Sequence, residues 1–193
     1  PSDLTAWYNE SPALGYGSRS NTLQQEIGGT PTQRPFEYAR RSSLSFARNL
    51  ARLPVWIGYP VGDTVVPPHH STDLYNAIQQ YDPVAVTLEP YQGNHGDSLG
   101  GEHILAALQR YTRLPDPHSL NFRTDTGRRA WWLTLQPTSD LAWNETNLTV
   151  TPEGRISGTV RLPAGGALSV DIARLGLAGL GDYNLEDYNT GSG

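Results

Sequence analysis

The sequence predicts an α/β fold in its first part and a small all-β, sandwich-like module behind it. Three observations carry that reading. Leu53 to Asn76 runs Leu-Pro-Val-Trp-Ile-Gly-Tyr-Pro-Val-Gly-Asp-Thr-Val-Val-Pro-Pro-His-His-Ser-Thr-Asp-Leu-Tyr-Asn: an apolar strand, a Gly-Asp turn, a Val-Val-Pro segment and a helix start. A second strand follows and leads to a Gly-flanked His in Gly93-Asn94-His95-Gly96. At Leu114 the texture changes to short alternating runs separated by Pro and Gly turns.

Taken in order, residues 1 to 34 hold much Gly, Ser, Thr, Asn and Gln and read as irregular, with one short helix around Asn21 to Ile27. Pro35 can open a helix, and Phe36, Ala39, Leu44, Ala47 and Leu50 keep helical spacing through Leu50. Pro54 to Tyr59 is a short apolar strand suited to burial on both faces. His70 to Tyr81 is an amphipathic helix with Leu74, Tyr75, Ile78 and Tyr81 on one face, capped by Ser71 or Thr72. Val84 to Leu88 is the next strand. Glu102 to Tyr111 is a helix with Ile104, Leu105 and Leu108 turned inward.

The chain divides into an α/β part over residues 1–114, a linker over 115–119 and a β module over 120–193 with a frayed tail. Strands are expected at Ala130 to Gln136, Asn147 to Thr151, Arg155 to Arg161 and Ala167 to Ile172. A further one is expected at Tyr183 to Tyr188. Pro152-Glu153-Gly154 and Pro163-Ala164-Gly165-Gly166 are the turns between them.

Composition removes several function classes. The 193 residues carry a formal net charge of −5, which argues against a nucleic-acid partner. No apolar run is long enough for a membrane span, and none reads as a signal peptide. Cys is absent, so there is no disulfide framework and no thiolate metal site, and the compartment stays open. The 14 basic residues are all Arg, which excludes a Lys Schiff base and a phosphate-loop Lys. A chain without Met that opens on Pro1 is expected to be a processed or excised piece.

The candidate site residues are Asp63 and His95. A carboxylate at the C-terminal end of a buried strand lies on the functional edge of an α/β sheet. It can accept a bond from a His ring nitrogen, fix the tautomer and stabilise the imidazolium. His95 lies past the next strand, and its Gly neighbours let the imidazole approach both a carboxylate and a nucleophile. His69 and His70 read as solvated or capping residues, since nothing near them in sequence has metal-ligand spacing. His103 reads as an exposed helix residue and His118 as linker. Gly96-Asp97-Ser98-Leu99-Gly100 matches a Gly-x-Ser-x-Gly pattern and makes Ser98 a rival nucleophile. The long loop from Leu88 to Ser98 lacks the sharp strand-to-helix turn that such a nucleophile needs.

These residues resemble the prolyl oligopeptidase family of serine peptidases, and α/β-hydrolases more widely. Gly28-Gly29-Thr30-Pro31, Pro35 to Tyr38 and Arg41-Ser42-Ser43-Leu44 resemble the family's Gly-x-Pro … Tyr … Ser-Pro segment, with Ser43 where Pro is usual. Pro54 to Pro67 resembles the strand and turn that carry the family Asp, here Asp63, with Gly58-Tyr59-Pro60 in place of the usual His-Gly. Gly93-Asn94-His95-Gly96 resembles the loop that carries the family His, here His95. The likeness spans roughly residues 1 to 113.

The resemblance implies the C-terminal strands and helices of a hydrolase sheet, in a fold whose chain order is Ser, Asp, His. Nucleophile and oxyanion donors would lie upstream of Pro1. The expected function is thus the C-terminal part of a serine hydrolase, peptidase or esterase, without cofactor. Its expected partners are the missing N-terminal half of the domain and a peptide or ester substrate. The chain alone would be inactive. Its exposed strand edge at Pro54 to Tyr59 would form a homodimer or be covered by residues 1 to 34. One alternative is a non-catalytic binding module using Trp131, Trp132 and Trp143 of the β part. Another is a Gly-Asp-Ser-Leu esterase using Ser98.

Overall fold

In the computed structural model, residues 1–51, 53–82, 86–109, 116–137, 142–163 and 165–177 are described. Helices and strands are mixed, and the strands form three small sheets. The first sheet is a parallel pair, β1 (Val55–Pro60) and β2 (Val86–Tyr91). Parallel neighbours need a crossover, which here contains an amphipathic helix, α5 (His69–Gln79). β-branched and aromatic residues open β1 at Val55, Trp56 and Ile57. Ile78 and Val86 are buried with Ala47, and Val55, Ile57, Leu74 and Tyr75 pack around them. The predicted face of α5 is thus three-quarters right, because Tyr81 is exposed beyond the helix end. Neither Ser71 nor Thr72 caps this helix. It starts one residue earlier than expected, at His69 after Pro68, with no side-chain cap.

The first 34 residues depart most from expectation. They hold two helices, α1 (Leu4–Glu10) and α2 (Gly17–Ile27). Asp3 Oδ1 caps α1 by accepting from Thr5 and Ala6 amides at 2.8 and 3.2 Å. Polar anchors fix the rest: Ser20 Oγ donates to the Tyr8 carbonyl at 2.8 Å, and the Arg19 guanidinium lies over the Tyr16 ring at 4.3 Å. Helices held this way leave little apolar periodicity to read. The single helix expected from Phe36 to Leu50 is instead α3 (Pro35–Arg40), a 3-10 turn (Ser43–Phe46) and α4 (Ala47–Leu50). The break follows a buried Ser42, whose Oγ donates to the Tyr38 carbonyl and accepts the Leu4 amide.

Helix α6 (Gly101–Gln109) forms where expected, but Ile104, Leu105 and Leu108 are exposed rather than inward.

Beyond residue 116 lie two three-stranded antiparallel sheets. One has the order β3 (Ser119–Thr124), β6 (Asn144–Val150), β7 (Ile156–Arg161). The other has the order β4 (Arg128–Ala130), β5 (Leu133–Gln136), β8 (Ala167–Val170). Both contribute to one core that contains Leu120, Leu148 and Val150 from the first sheet and Ala130, Leu133 and Leu135 from the second. Trp132 is buried among them. The predicted strand at Ala130 to Gln136 is two strands, because Trp131-Trp132 makes a turn in which Ala130 pairs with Leu133. β3 takes up residues expected to follow a linker. Asp116, Pro117 and His118 are likewise bonded into this part through Arg174, Trp132 Nε1 and the Val150 amide. The strand expected at Tyr183 to Tyr188 lies outside the described residues.

The two parts meet along the free edge of β3. The Asn49 side chain donates to the Arg123 carbonyl at 2.6 Å and accepts the Arg123 amide at 2.7 Å, so one amide group closes the strand edge. Arg40 pairs with Asp125 at 2.8 Å, and Trp143 sits edge-on between Phe36 and Phe46. Asn49→Ala leaves two backbone groups of β3 without partners. It is expected to lower stability by about 1–3 kcal/mol in urea denaturation. An unchanged midpoint would show that water replaces Asn49 at no cost.

Candidate active site

Strand β1 ends at Pro60, and the chain turns through Val61 and Gly62 to Asp63. Strand β2 ends beside it at Tyr91. The pairing carries on past both strand ends, because the Val61 amide donates to the Tyr91 carbonyl at 2.9 Å and the Gly62 amide to the Gly93 carbonyl at 3.0 Å. This close approach needs glycine at position 62: a Cβ there would lie 2.6 Å from the Gly93 carbonyl oxygen. The two loops are thereby clamped together, one holding Asp63 and the other His95.

The His loop is a local construction. Asp97 accepts the Asn94 amide at 2.6 Å, and the Tyr91 hydroxyl donates to the Asp97 carbonyl at 2.7 Å. Gly96 takes φ +91°, a left-handed conformation that glycine adopts without strain.

Asp63 and His95 meet. His95 Nδ1 lies 3.0 Å from Asp63 Oδ2. The other carboxylate oxygen, Oδ1, accepts the Val65 and Val66 amides at 2.8 and 2.9 Å. The Asp63 side chain is 10% exposed and that of His95 49%. Burial pushes the Asp63 pKa up. The Val66 amide, the His95 ring and the Val65 amide outweigh it, so the carboxyl lies below its ordinary value. An ionised carboxylate only accepts, so His95 Nδ1 must carry the proton. In the neutral ring Nε2 then holds a lone pair, and it has no hydrogen-bond partner among the described residues. That is the tautomer a general base needs.

The sign of the Asp63 shift gives a stability prediction. A carboxyl with a lowered folded pKa stabilises the fold above its ordinary value, about 3.9. That contribution is lost as pH falls through the folded value. Asp63→Asn should therefore show a shallower loss of stability than the wild type below about pH 4. Parallel acid-unfolding curves for the two proteins would contradict this.

No family model matches the chain, and no curated protein or solved structure matches it.

Ser98 is exposed in the loop before α6 and makes no hydrogen bond among the described residues. It shares a loop with His95, but the dyad does not engage it. His103 is exposed as expected and bonds Glu89 Oε1 at 2.5 Å. Among the three tryptophans of the β part, Trp132 fills the core, with Nε1 donating to the Pro117 carbonyl at 2.6 Å. Trp143 packs on Phe36 and Phe46. Trp131 alone lines a cleft of about 470 Å³, with Asn49, Phe122, Arg129 and Arg174. Its φ of +51° is unusual for a bulky residue.

One cluster of titratable side chains has no signal in the sequence. His70 is buried, not solvated, and Glu10 of α1 lies against both His69 and His70. A partner 59 residues away in sequence gives no local spacing signal.

Proposed function

We propose that this chain supplies the acid–base half of a serine hydrolase site, with His95 as general base and Asp63 as its orienting carboxylate. The observation that carries the reading is the His95 Nδ1–Asp63 Oδ2 pair at the C-terminal ends of adjacent parallel strands, with Asp63 held by two further amides. The nucleophilic serine and the oxyanion donors come from sequence that precedes these residues, in the chain order Ser, Asp, His. The serine attacks the carbonyl of an ester or amide as His95 Nε2 takes its proton. His95 then returns that proton to the leaving group, and water hydrolyses the acyl-enzyme by the same route.

Two further features support the reading. β1 has a strand neighbour on one side only among the described residues, and a two-stranded sheet is marginal alone. The apolar stripe Ile104, Leu105 and Leu108 of α6 is exposed. Both suit a larger sheet continued by the missing half of the domain, and both suit self-association when that half is absent.

The test is covalent labelling of the isolated chain with a fluorophosphonate, which marks a base-activated serine. No labelling is the expected result. Stoichiometric labelling at Ser98 would overturn the proposal and establish the Gly-Asp-Ser-Leu esterase instead. The binding-module alternative rests on Trp131, an aromatic in a disfavoured backbone conformation at the rim of a cleft.

A further inference from the structure

Helix α5 opens with two adjacent histidines after Pro67-Pro68, and both turn to one carboxylate. His69 Nε2 lies 2.8 Å from Glu10 Oε2, and His70 Nε2 lies 2.6 Å from Glu10 Oε1. The ring centroids are 4.4 Å apart. One ligand atom from each of the three residues falls within 4.8 Å of the others. Neighbouring positions on a helix normally point about 100° apart, so this convergence is a product of the first turn and of α1 packing across it.

We propose that Glu10, His69 and His70 form a binding site for a divalent transition metal of the zinc class, separate from the Asp63–His95 pair. Two imidazoles and one carboxylate suit zinc and exclude the hard cations, which take oxygen donors. Three protein ligands leave a fourth position for water.

Two carboxylates flank the His69 ring, one at each nitrogen. Asp73 Oδ2 lies 3.1 Å from His69 Nδ1, the carboxylate–imidazole arrangement that fixes a ligand's tautomer and leaves Nε2 for the metal. His70 is 2% exposed. Burial, the largest influence, holds its pKa below the ordinary value despite Glu10. Its Nδ1 is buried without a partner, so the tautomer of this ring is set by what sits at Nε2. Burial also opposes the charging of His69, but the Asp73 and Glu10 carboxylates outweigh it and raise its pKa. Glu10 and Asp73 together supply negative charge against the positive end of α5.

Metal at this point would tie α1 to the start of α5. The same helix is already linked to the Asp63 turn, because Trp7 Nε1 donates to the Val65 carbonyl at 2.8 Å. The expected consequence is a zinc-dependent rise in melting temperature, since a ligand bound only by the folded state stabilises it.

The test is titration of the metal-free chain with zinc sulfate against a chromophoric chelator, with melting temperature as a second readout. One equivalent of zinc should bind, and the melting temperature should rise. Glu10→Gln and His69→Gln should each weaken binding more than 10-fold and abolish the rise. Both positions are partly exposed, so these variants are expected to fold, as circular dichroism without metal would verify. Asp73→Asn should weaken zinc by about 10–100-fold. His118→Gln, at an exposed position, should bind as the wild type does. Absence of stoichiometric zinc, or equal affinity in Glu10→Gln and the wild type, would overturn the site.

Discussion

If the proposed dyad acts on a serine supplied by sequence outside this chain, Asp63→Asn in the protein that joins them is expected to lower the rate of p-nitrophenyl ester hydrolysis by about 10⁴-fold. The reason is the tautomer. Ionised Asp63 accepts from His95 Nδ1, which leaves Nε2 as the base. An Asn at this position can donate its amide to Nδ1 and so move the ring proton to Nε2, where it blocks proton transfer. The fold should survive, because an Asn carbonyl oxygen can still accept from the Val65 and Val66 amides. A rate within 10-fold of the wild type, with the fold intact, would remove Asp63 from the mechanism.

Trp132→Ala carries the largest expected loss of stability. Trp132 is 1% exposed, packs in a core shared by both antiparallel sheets, and bonds the Pro117 carbonyl through Nε1. Truncation of a buried Trp costs about 3–5 kcal/mol, against a total of about 5–15 kcal/mol for a typical domain. Urea denaturation should show a large fall in midpoint. Trp132→Phe keeps most of the volume and leaves the Pro117 carbonyl unbonded, so a smaller fall is expected. An unchanged midpoint in Trp132→Ala would mean that this core does not hold the β part together.

The legible parts of the sequence were those whose cause is local. β1 and α5 announce themselves through an apolar run and a 3.6-residue period. A second apolar run marks the first half of β2, which continues to Tyr91 beyond the expected end at Leu88, while Val84 and Ala85 lie outside the described residues. The Gly-Asp turn and the Gly-flanked His fall at their ends, and this local pattern suffices to bring Asp63 to His95. The turns at Pro152–Gly154 and Pro163–Gly166 likewise set the strands on either side of them.

What sequence reading lost depends on distant partners in some places and on local polar or backbone features in others. The helices α1 and α2 rest on Asp3, Ser20 and Arg19 contacts instead of an apolar stripe. β3 was hidden because its edge is closed by Asn49, a residue of another element. The split of Ala130 to Gln136 turns on Trp131 at positive φ, where glycine or asparagine would have been the readable signal. Helix α6 has the apolar spacing of a buried helix, yet its stripe is exposed, because periodicity shows that a face is apolar and not what covers it. The Glu10–His69–His70 cluster joins the ends of two helices, and only the packing of α1 on the Asp63 turn brings it together.

The most direct test of the proposed dyad is fluorophosphonate labelling of the full-length protein, with the modified serine located by mass spectrometry. One labelled serine is expected, outside residues 1–193, with labelling abolished by His95→Gln. A label on Ser98, or labelling of an upstream serine that proceeds at the wild-type rate in His95→Gln, would contradict it.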